Sequence, residues 1–404
     1  FLRGLEGEAY QDNAVFQELY SWYLQSPEYR ILVKKLTEAS FSERPSDKIG
    51  KTVAKILYGE ISPYSATRLE RFAACAFAHF LQYGLKVTER AEYEFRAMDM
   101  GNVMHMALEK FAAEVRKEGL NWAELTEEER NRIIDSCLDQ VSADYGNTIL
   151  KSSARNEYMI ERTRRILRRT VWALQEQLKH GAFRPEGFEV RFQGGRIDRV
   201  DIMEEPENNR VYVKVIDYKT GNTSFDLLAL YHGLQLQLMV YLDGALQVEK
   251  RKYPDREIVP AGVFYYNVKD PMIQEKIHAD MESINEQMLK KMKMNGLVQA
   301  DDNMSTKIDS TMASIPVSLN RDGSFSKRSS VASRKQFDAL GAYVRRKICD
   351  IRESILDGNA AVEPYELGKK NACTYCPYLT VCGFDRKIPG YEFHRLSSIE
   401  EDAL

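Results

Sequence analysis

Residues 211–219 read Val-Tyr-Val-Lys-Val-Ile-Asp-Tyr-Lys, a strand-like run that ends in a carboxylate and an ammonium two positions apart. Side chains alternate faces along a strand, so Val211, Val213, Val215, Asp217 and Lys219 share one face. The preceding segment offers Asp198 on the face of Val200 and Ile202. A short polar link at 204–209 lets two neighbouring strands bring Asp198 and Asp217 to one sheet end. Two carboxylates at hard-cation distance bind Mg²⁺ and leave positions for water and phosphate oxygens. Such a cation acidifies water and offsets charge on a pentavalent phosphorus, while a lysine beside it orients or deprotonates the nucleophile. An isolated Asp-x-Lys also reads as a surface ion pair at a strand end.

Other residues bear on the same chemistry. His105 lies near the apolar stripe of a helix starting at Gly101, with Glu109 one turn on. A neutral imidazole there is either a core residue or a further metal ligand. Gln237 and Tyr241 are four apart on the helix after the Asp217 strand, so they project from one face and could contact a phosphate or a base. Five arginines fall on about two helical turns at 162–169, of which Arg162, Arg165 and Arg169 are candidate DNA contacts. A second basic group runs Lys327, Arg328, Arg334, Lys335. Both also read as solvated helix faces.

Cys373, Cys376 and Cys382 place three thiols within ten residues, and Pro377 favours a turn there. Three thiolates leave a tetrahedral or cubane site one ligand short, and spacing alone does not separate zinc from an iron–sulfur cluster. Cys137 and Cys349 fall inside helical stripes and read as apolar fillers.

These groups belong to a chain of 404 residues with net charge −3, 44% hydrophobic and 29% charged. That excludes bulk basicity as the means of gripping nucleic acid but allows local basic patches around an acidic metal site. No apolar run is long enough for a bilayer and no signal peptide opens the sequence. Six cysteines without secretory features fit a reducing compartment. A first residue Phe1 suggests a piece of a longer polypeptide. The Ile49-Gly50-Lys51-Thr52 run lacks the first glycine of a phosphate-binding loop, where Pro45 stands, so it is no ATP site.

The elements that must position the chemistry follow from periodicity. Helical patterns fall at 14–23, 29–39, 65–85, 101–117, 126–146, 156–179 and 335–356, with a polar loop at 40–47. Strands are expected at 187–192, 195–203, 210–218 and 259–268. A helix at 224–247 lies between the last two, with Thr223 and Asp226 at capping-box spacing. The expected organisation is a helical segment over 1–60, an α/β unit carrying the carboxylates and Cys75 over 61–300, a flexible loop over 301–335 and a C-terminal helix with a cysteine-rich arm over 336–404.

Taken in order, Gly101-Asn-Val-Met-His105-Met-Ala-Leu-Glu109, Gly195-Arg-Ile-Asp198-Arg-Val-Asp201, Ile216-Asp-Tyr-Lys-Thr-Gly221 and Gln235-Leu-Gln237-Leu-Met-Val-Tyr241 resemble the RecB-family nuclease motifs. The wider class is the PD-(D/E)XK, restriction-endonuclease-like phosphodiesterases. With the cysteines added, residues 60–390 resemble the AddB family of bacterial ATP-dependent helicase–deoxyribonucleases. The resemblance implies an α/β core of helix, three strands, helix and strand, with helical N- and C-terminal arms joined by an iron–sulfur clasp.

It further implies that His105, Asp198, Asp217 and the Tyr218 carbonyl ligate Mg²⁺, with Lys219 assisting the water and Glu189 at an acidic position of some relatives. By the same resemblance Cys75 is expected to join Cys373, Cys376 and Cys382 as the fourth ligand of a [4Fe–4S] cluster, Zn²⁺ being the alternative. The context implied is DNA, an AddA-type helicase–nuclease subunit as partner, no membrane, the bacterial cytoplasm, and exonuclease-type resection in double-strand break repair by recombination. A catalytically silent DNA-binding scaffold and a zinc-bound interaction module are the rival readings. The intact Asp198, Asp217 and Lys219 set favours the enzyme.

Overall fold

The computed structural model describes residues 14–40, 48–59, 66–89, 97–145, 153–193, 195–273, 280–388 and 390–398. All but the first residue of the loop expected at 40–47 lies outside the described residues. Helices α1 (Ala14–Gln25), α2 (Arg30–Ser40), α3 (Lys51–Tyr58), α4 (Ala66–Ala74) and α5 (Ala76–His79) precede three longer ones, α6 (Ala97–Lys117), α7 (Glu127–Asp144) and α8 (Ala154–Lys179). Strands β1 (Arg184–Phe192), β2 (Gly195–Glu205) and β3 (Arg210–Lys219) follow, then helices α9 (Leu227–Tyr231) and α10 (Gln237–Lys252), and β4 (Glu257–Asn267). This is the expected helix, three strands, helix, strand order.

The sheet then grows beyond it. After α11 (Met281–Lys291), β5 (Asn295–Gln299), α12 (Met304–Ile308) and β6 (Val331–Ala332) extend it to six strands in the order β1-β2-β3-β4-β5-β6. β1, β2 and β3 are antiparallel neighbours, while β3 and β4 are parallel and joined by the α9–α10 crossover. Strands β3 and β4 are buried along nearly their whole length, as central strands covered on both faces must be. On one face, Val200, Ile202, Val211, Val213 and Val215 pack with α10, α4 and the long helix α13 (Arg334–Leu356). On the other, Met203, Tyr212, Ile216 and Tyr218 pack with α6, α7 and α8. That second face also buries a charge triad. Arg199 and Lys214 both reach Asp201, at 2.6 and 2.9 Å, so none of the three is left without a counter-charge.

Three expectations are corrected. The first half of 301–335 is packed into the core, with Met304, Ile308, Ile315 and Val317 buried, which their aperiodic spacing hid, while 318–324 are exposed. The helix expected through 65–85 breaks at Cys75, whose backbone is extended (φ −168°, ψ 116°). The helix expected at 224–247 is two. Asp226, not Thr223, caps α9 by accepting from Ala229 N, and Gly233 at φ 79° turns the chain before α10 begins at Gln237. In addition, Cys137 is a buried filler as expected, but Cys349 is exposed.

Beyond α13 the chain forms a small sheet of β7 (Tyr365–Leu367), β8 (Lys370–Asn371) and β9 (His394–Arg395), with the one-turn helix α14 (Leu379–Cys382) between.

Candidate active site

Register brings the carboxylates together. The β2–β3 pairing of Arg199 with Ile216 sets Asp198 opposite Asp217 one position further along. On the other side of β2, the pairs Phe188–Arg199 and Val190–Ile197 flank Glu189 and Asp198. Glu189 has φ 48°, and the alternation breaks there: Phe188 packs on the α6–α8 side, Val190 and Phe192 on the α10 side. A left-handed glutamate costs about 1–2 kcal/mol and here re-aims its carboxylate toward Asp198. Helix α6 adds His105. Gly101 lets that helix approach closely, since a β-carbon there would come within 3.3 Å of the Thr220 hydroxyl just past β3.

His105, Glu189 and Asp198 each offer a ligand atom within 4.8 Å of the other two. His105 Nδ1 is 3.4 Å from Asp198 Oδ2, which also accepts from the backbone N–H of Tyr218 at 2.7 Å. Asp217 stands beside this trio, 2% exposed, with Oδ2 on Lys219 Nζ at 2.7 Å. Glu189 is ion-paired with Arg196. The Tyr218 side chain points away from the carboxylates, into the opposite core with Tyr266, and meets the His105 ring edge-on. A donor set of carboxylate oxygens with one imidazole suits a hard or borderline divalent cation.

Crowding shows in the proton affinities. Burial and then the charge of Asp198 push Asp217 up to about 7, and the same two causes push Glu189 up to about 7. Burial pulls the His105 imidazole down, but its bond to Asp198 and the surrounding carboxylates more than offset this and hold it above its ordinary value. A raised carboxylate binds its proton more tightly folded than unfolded. Its contribution to stability is therefore full below pH about 4 and lost as pH rises toward 7. In EDTA, Glu189→Gln should raise the melting temperature, and more at pH 8 than at pH 5. With saturating Mg²⁺ the wild type should gain stability and the variant less. Scanning fluorimetry at both pH values checks this; a variant less stable than wild type in EDTA at pH 8 refutes the crowding.

Lys219 is held from two sides. Its ammonium donates to Gln237 Oε1 at 2.7 Å and is ion-paired with Asp217 Oδ2 at 2.7 Å, and Gln237 Nε2 donates to Tyr241 at 2.8 Å. The expected Gln–Tyr face thus reaches the lysine. Sequence reasoning missed Glu70. This α4 carboxylate accepts the backbone N–H groups of Leu236 and Gln237 at 2.6 and 2.9 Å, at the N-terminus of α10. Its signal was only an acidic residue in an apolar helical stripe, and its partners lie 166 and 167 positions away.

The arginine run is largely neutralised. Arg164 pairs with Asp139 at 2.6 Å, Arg165 with Asp270 at 2.6 Å, and Arg168 with Asp135. Arg169 lies over Trp172, and Arg162 is exposed. Among the three DNA candidates, Arg165 is therefore committed to a carboxylate.

The four cysteines Cys75, Cys373, Cys376 and Cys382 line one apolar cavity closed by Phe77, Tyr378 and Phe384. The break at Cys75 turns its thiol out of the helix. Burial and the three neighbouring sulfurs push the Cys373 thiol up to about 11. Four sulfurs converging in one apolar cavity, with a single guanidinium beside them, fit a bound cationic centre, which would keep them as thiolates. Arg71 Nη2 donates to Cys376 Sγ at 3.7 Å, and Phe384 N to Cys382 Sγ at 3.5 Å.

The site gathers acidic residues and a lysine at the ends of interior strands of a mixed sheet flanked by helices. A family model described as the PD-(D/E)XK nuclease superfamily matches residues 63–383, and the chain belongs to that superfamily. It is similar to proteins named as the B component of an ATP-dependent helicase/deoxyribonuclease. It is 40% identical to that of Lachnoclostridium phytofermentans, over 100% of this chain and 36% of that protein. It is 35% identical to that of Alkaliphilus metalliredigens, over 96% and 36%. With that of Clostridium acetobutylicum it shares 32% identity over 99% and 37%. The chain thus spans little more than a third of the length of these relatives. Among the described residues no helix is long and apolar enough to cross a membrane.

Proposed function

We propose that this chain hydrolyses DNA phosphodiester bonds with Mg²⁺, as the nuclease part of a helicase–nuclease that resects double-strand breaks for recombination. An AddA-type subunit would be its partner, in the bacterial cytoplasm. The reading rests on one observation above the others: Asp198 and Asp217 lie opposite each other, with Lys219 Nζ 2.7 Å from Asp217. His105, Glu189, Asp198 and Asp217 would hold the cation, which when bound supplies Lewis acidity toward the phosphate and makes water a nucleophile near neutral pH. Hydrolysis forms one P–O bond from water and breaks the ester P–O bond, whose leaving oxygen takes up a proton. Lys219, kept in place by Asp217 and Gln237, orients the water and offsets the charge gathering on the phosphate oxygens. Tyr241 fixes the amide of Gln237 so that its oxygen faces the lysine.

The test is cleavage of end-labelled single-stranded DNA with Mg²⁺ and with EDTA. Mg²⁺-dependent shortening of the label supports the proposal. Tight binding without cleavage would instead make the chain a silent scaffold.

Glu70 enters as a positioning residue. Glu70→Ala should leave two N–H groups at the start of α10 unsatisfied, a cost of about 1–3 kcal/mol. It should loosen Gln237 and with it Lys219, lowering kcat by on the order of 10- to 100-fold with KM for DNA little changed. Glu70→Gln, which keeps an acceptor oxygen, should recover part of the rate. Equal losses in both variants would assign Glu70 no such role.

A further inference from the structure

Past the ends of β3 and β4 the chain forms two walls, one leaving Lys219 and the other leaving Asn267. Val268 N donates to Lys219 O at 2.7 Å, Thr223 N donates to Asn267 Oδ1 at 3.1 Å, and Asn267 Nδ2 returns a bond to Thr223 O at 3.0 Å. Asn295, the first residue of β5, accepts from Phe225 N and closes the floor. Between these walls is a cavity of about 660 Å³. Asn222, Thr223 and Ser224 line one side, and Lys269, Lys293 and Arg328 bring three cations to it. Arg328 belongs to the second basic group of the sequence.

These cations differ from those of the arginine run. Arg164, Arg165 and Arg168 each sit on a carboxylate, whereas Lys269, Lys293 and Arg328 make no ion pair among the described residues. In a chain with 60 acidic and 57 basic residues, three unpaired cations facing one cavity need a different partner. Lys293 is partly buried. The nearest carboxylate acting on it, Asp309, has both oxygens taken by Thr311 and Ser314. A partly desolvated ammonium with no ion-pair contact is costly, and an anion entering the cavity reduces that cost.

We propose that this groove binds the phosphates of the nucleic-acid strand being cut, downstream or upstream of the scissile bond, without reading its bases. The inference rests on the nuclease reading of the adjacent carboxylates. Asn222 is three residues past Lys219, a reach of about 10 Å, which on a strand rising about 3.4 Å per nucleotide is roughly three nucleotides. Amides and hydroxyls beside cations are the donors that phosphate oxygens take. No aromatic side chain lines the cavity, so it offers no platform for base stacking, and the binding it gives is independent of sequence.

The test separates binding from cleavage. Lys269→Gln, Lys293→Gln and Arg328→Gln together keep the side-chain stems and remove the charges. Binding of a fluorescein-labelled oligothymidylate is titrated against salt with Ca²⁺ in place of Mg²⁺. The slope of log Kobs against log[salt] should become shallower by about 2, since each phosphate contact on a single strand contributes about 0.7. A control replacing the exposed Lys34, Lys35 and Lys55 by Gln should leave the slope unchanged. With Mg²⁺, cleavage of the oligonucleotide at subsaturating concentration should fall. Hydrolysis of bis(p-nitrophenyl) phosphate, too short to reach the groove, should not. An unchanged slope, or an equal change in the control, overturns the groove. A wild type that hydrolyses neither substrate sinks the nuclease reading, while the salt slope still decides whether the groove binds the strand.

Discussion

Asp217→Asn, Asp198→Ala and Lys219→Ala should each abolish most DNA cleavage while leaving the fold intact. The expected loss is on the order of 10²- to 10⁴-fold in kcat, the range for removing one member of a positioned acid–base set. Asp217→Asn is the sharpest of the three. The asparagine has the volume of the aspartate and fills the same 2%-exposed site between β2 and β4, but it cannot neutralise Lys219 or serve as an anionic ligand. Because burial and Asp198 already disfavour the Asp217 anion, its removal should not lower the melting temperature in EDTA. Asp217 and Lys219 touch through Oδ2 and Nζ, so their effects are not additive, and the double variant Asp217→Asn/Lys219→Ala should resemble either single one. Circular dichroism and cooperative melting guard against unfolding. Near-normal cleavage by Lys219→Ala at saturating Mg²⁺ would take the lysine out of the site.

Much of this site could be read in the sequence because it is local. The β3 pattern Val211, Val213, Val215, Asp217 has period two, and all three valines do pack on the α10 face. The order of strands and of the helix between β3 and β4 follows from periodicity and turn residues. What escaped has partners far away in the chain. Glu70 acts on N–H groups 166 and 167 positions on, and Arg165 is neutralised by Asp270, so a count of arginines overstated the charge open to DNA. Backbone exceptions escaped too. The positive φ of Glu189 and Gly233 and the extended Cys75 interrupt patterns that periodicity carries straight through. In each case tertiary contacts overrule local propensity, and they do so beside the site.

We propose that Cys75, Cys373, Cys376 and Cys382 hold a [4Fe–4S] cluster, so that Cys75→Ala should act like loss of any of the three C-terminal cysteines: colour, iron and sulfide lost, melting temperature lowered, and the arm from 365 onward opened to protease. Cys75 and Cys373 are 298 positions apart. Closing a loop of that length costs roughly 5 kcal/mol by the (3/2)RT ln n estimate, so ligand bonds made only in the folded state select the topology that brings α4 to α14. The same helix α4 carries Glu70, which holds the start of α10, and Arg71, which touches Cys376. Releasing Cys75 should therefore reach the nuclease site through Glu70 and Gln237, lowering cleavage as well as stability. The reverse does not follow: Asp217→Asn leaves the cysteine cavity untouched and should keep full colour, as should Cys349→Ala, whose thiol is exposed and away from the four. Wild type and Cys75→Ala, purified without oxygen, are assayed for iron, sulfide and zinc. Stoichiometric zinc without sulfide would replace the cluster by a zinc site, and full iron in Cys75→Ala would remove Cys75 from its ligands. A Cys75→Ala protein that loses its iron yet cleaves DNA at the wild-type rate would show that α4 holds Glu70 in place without the clasp.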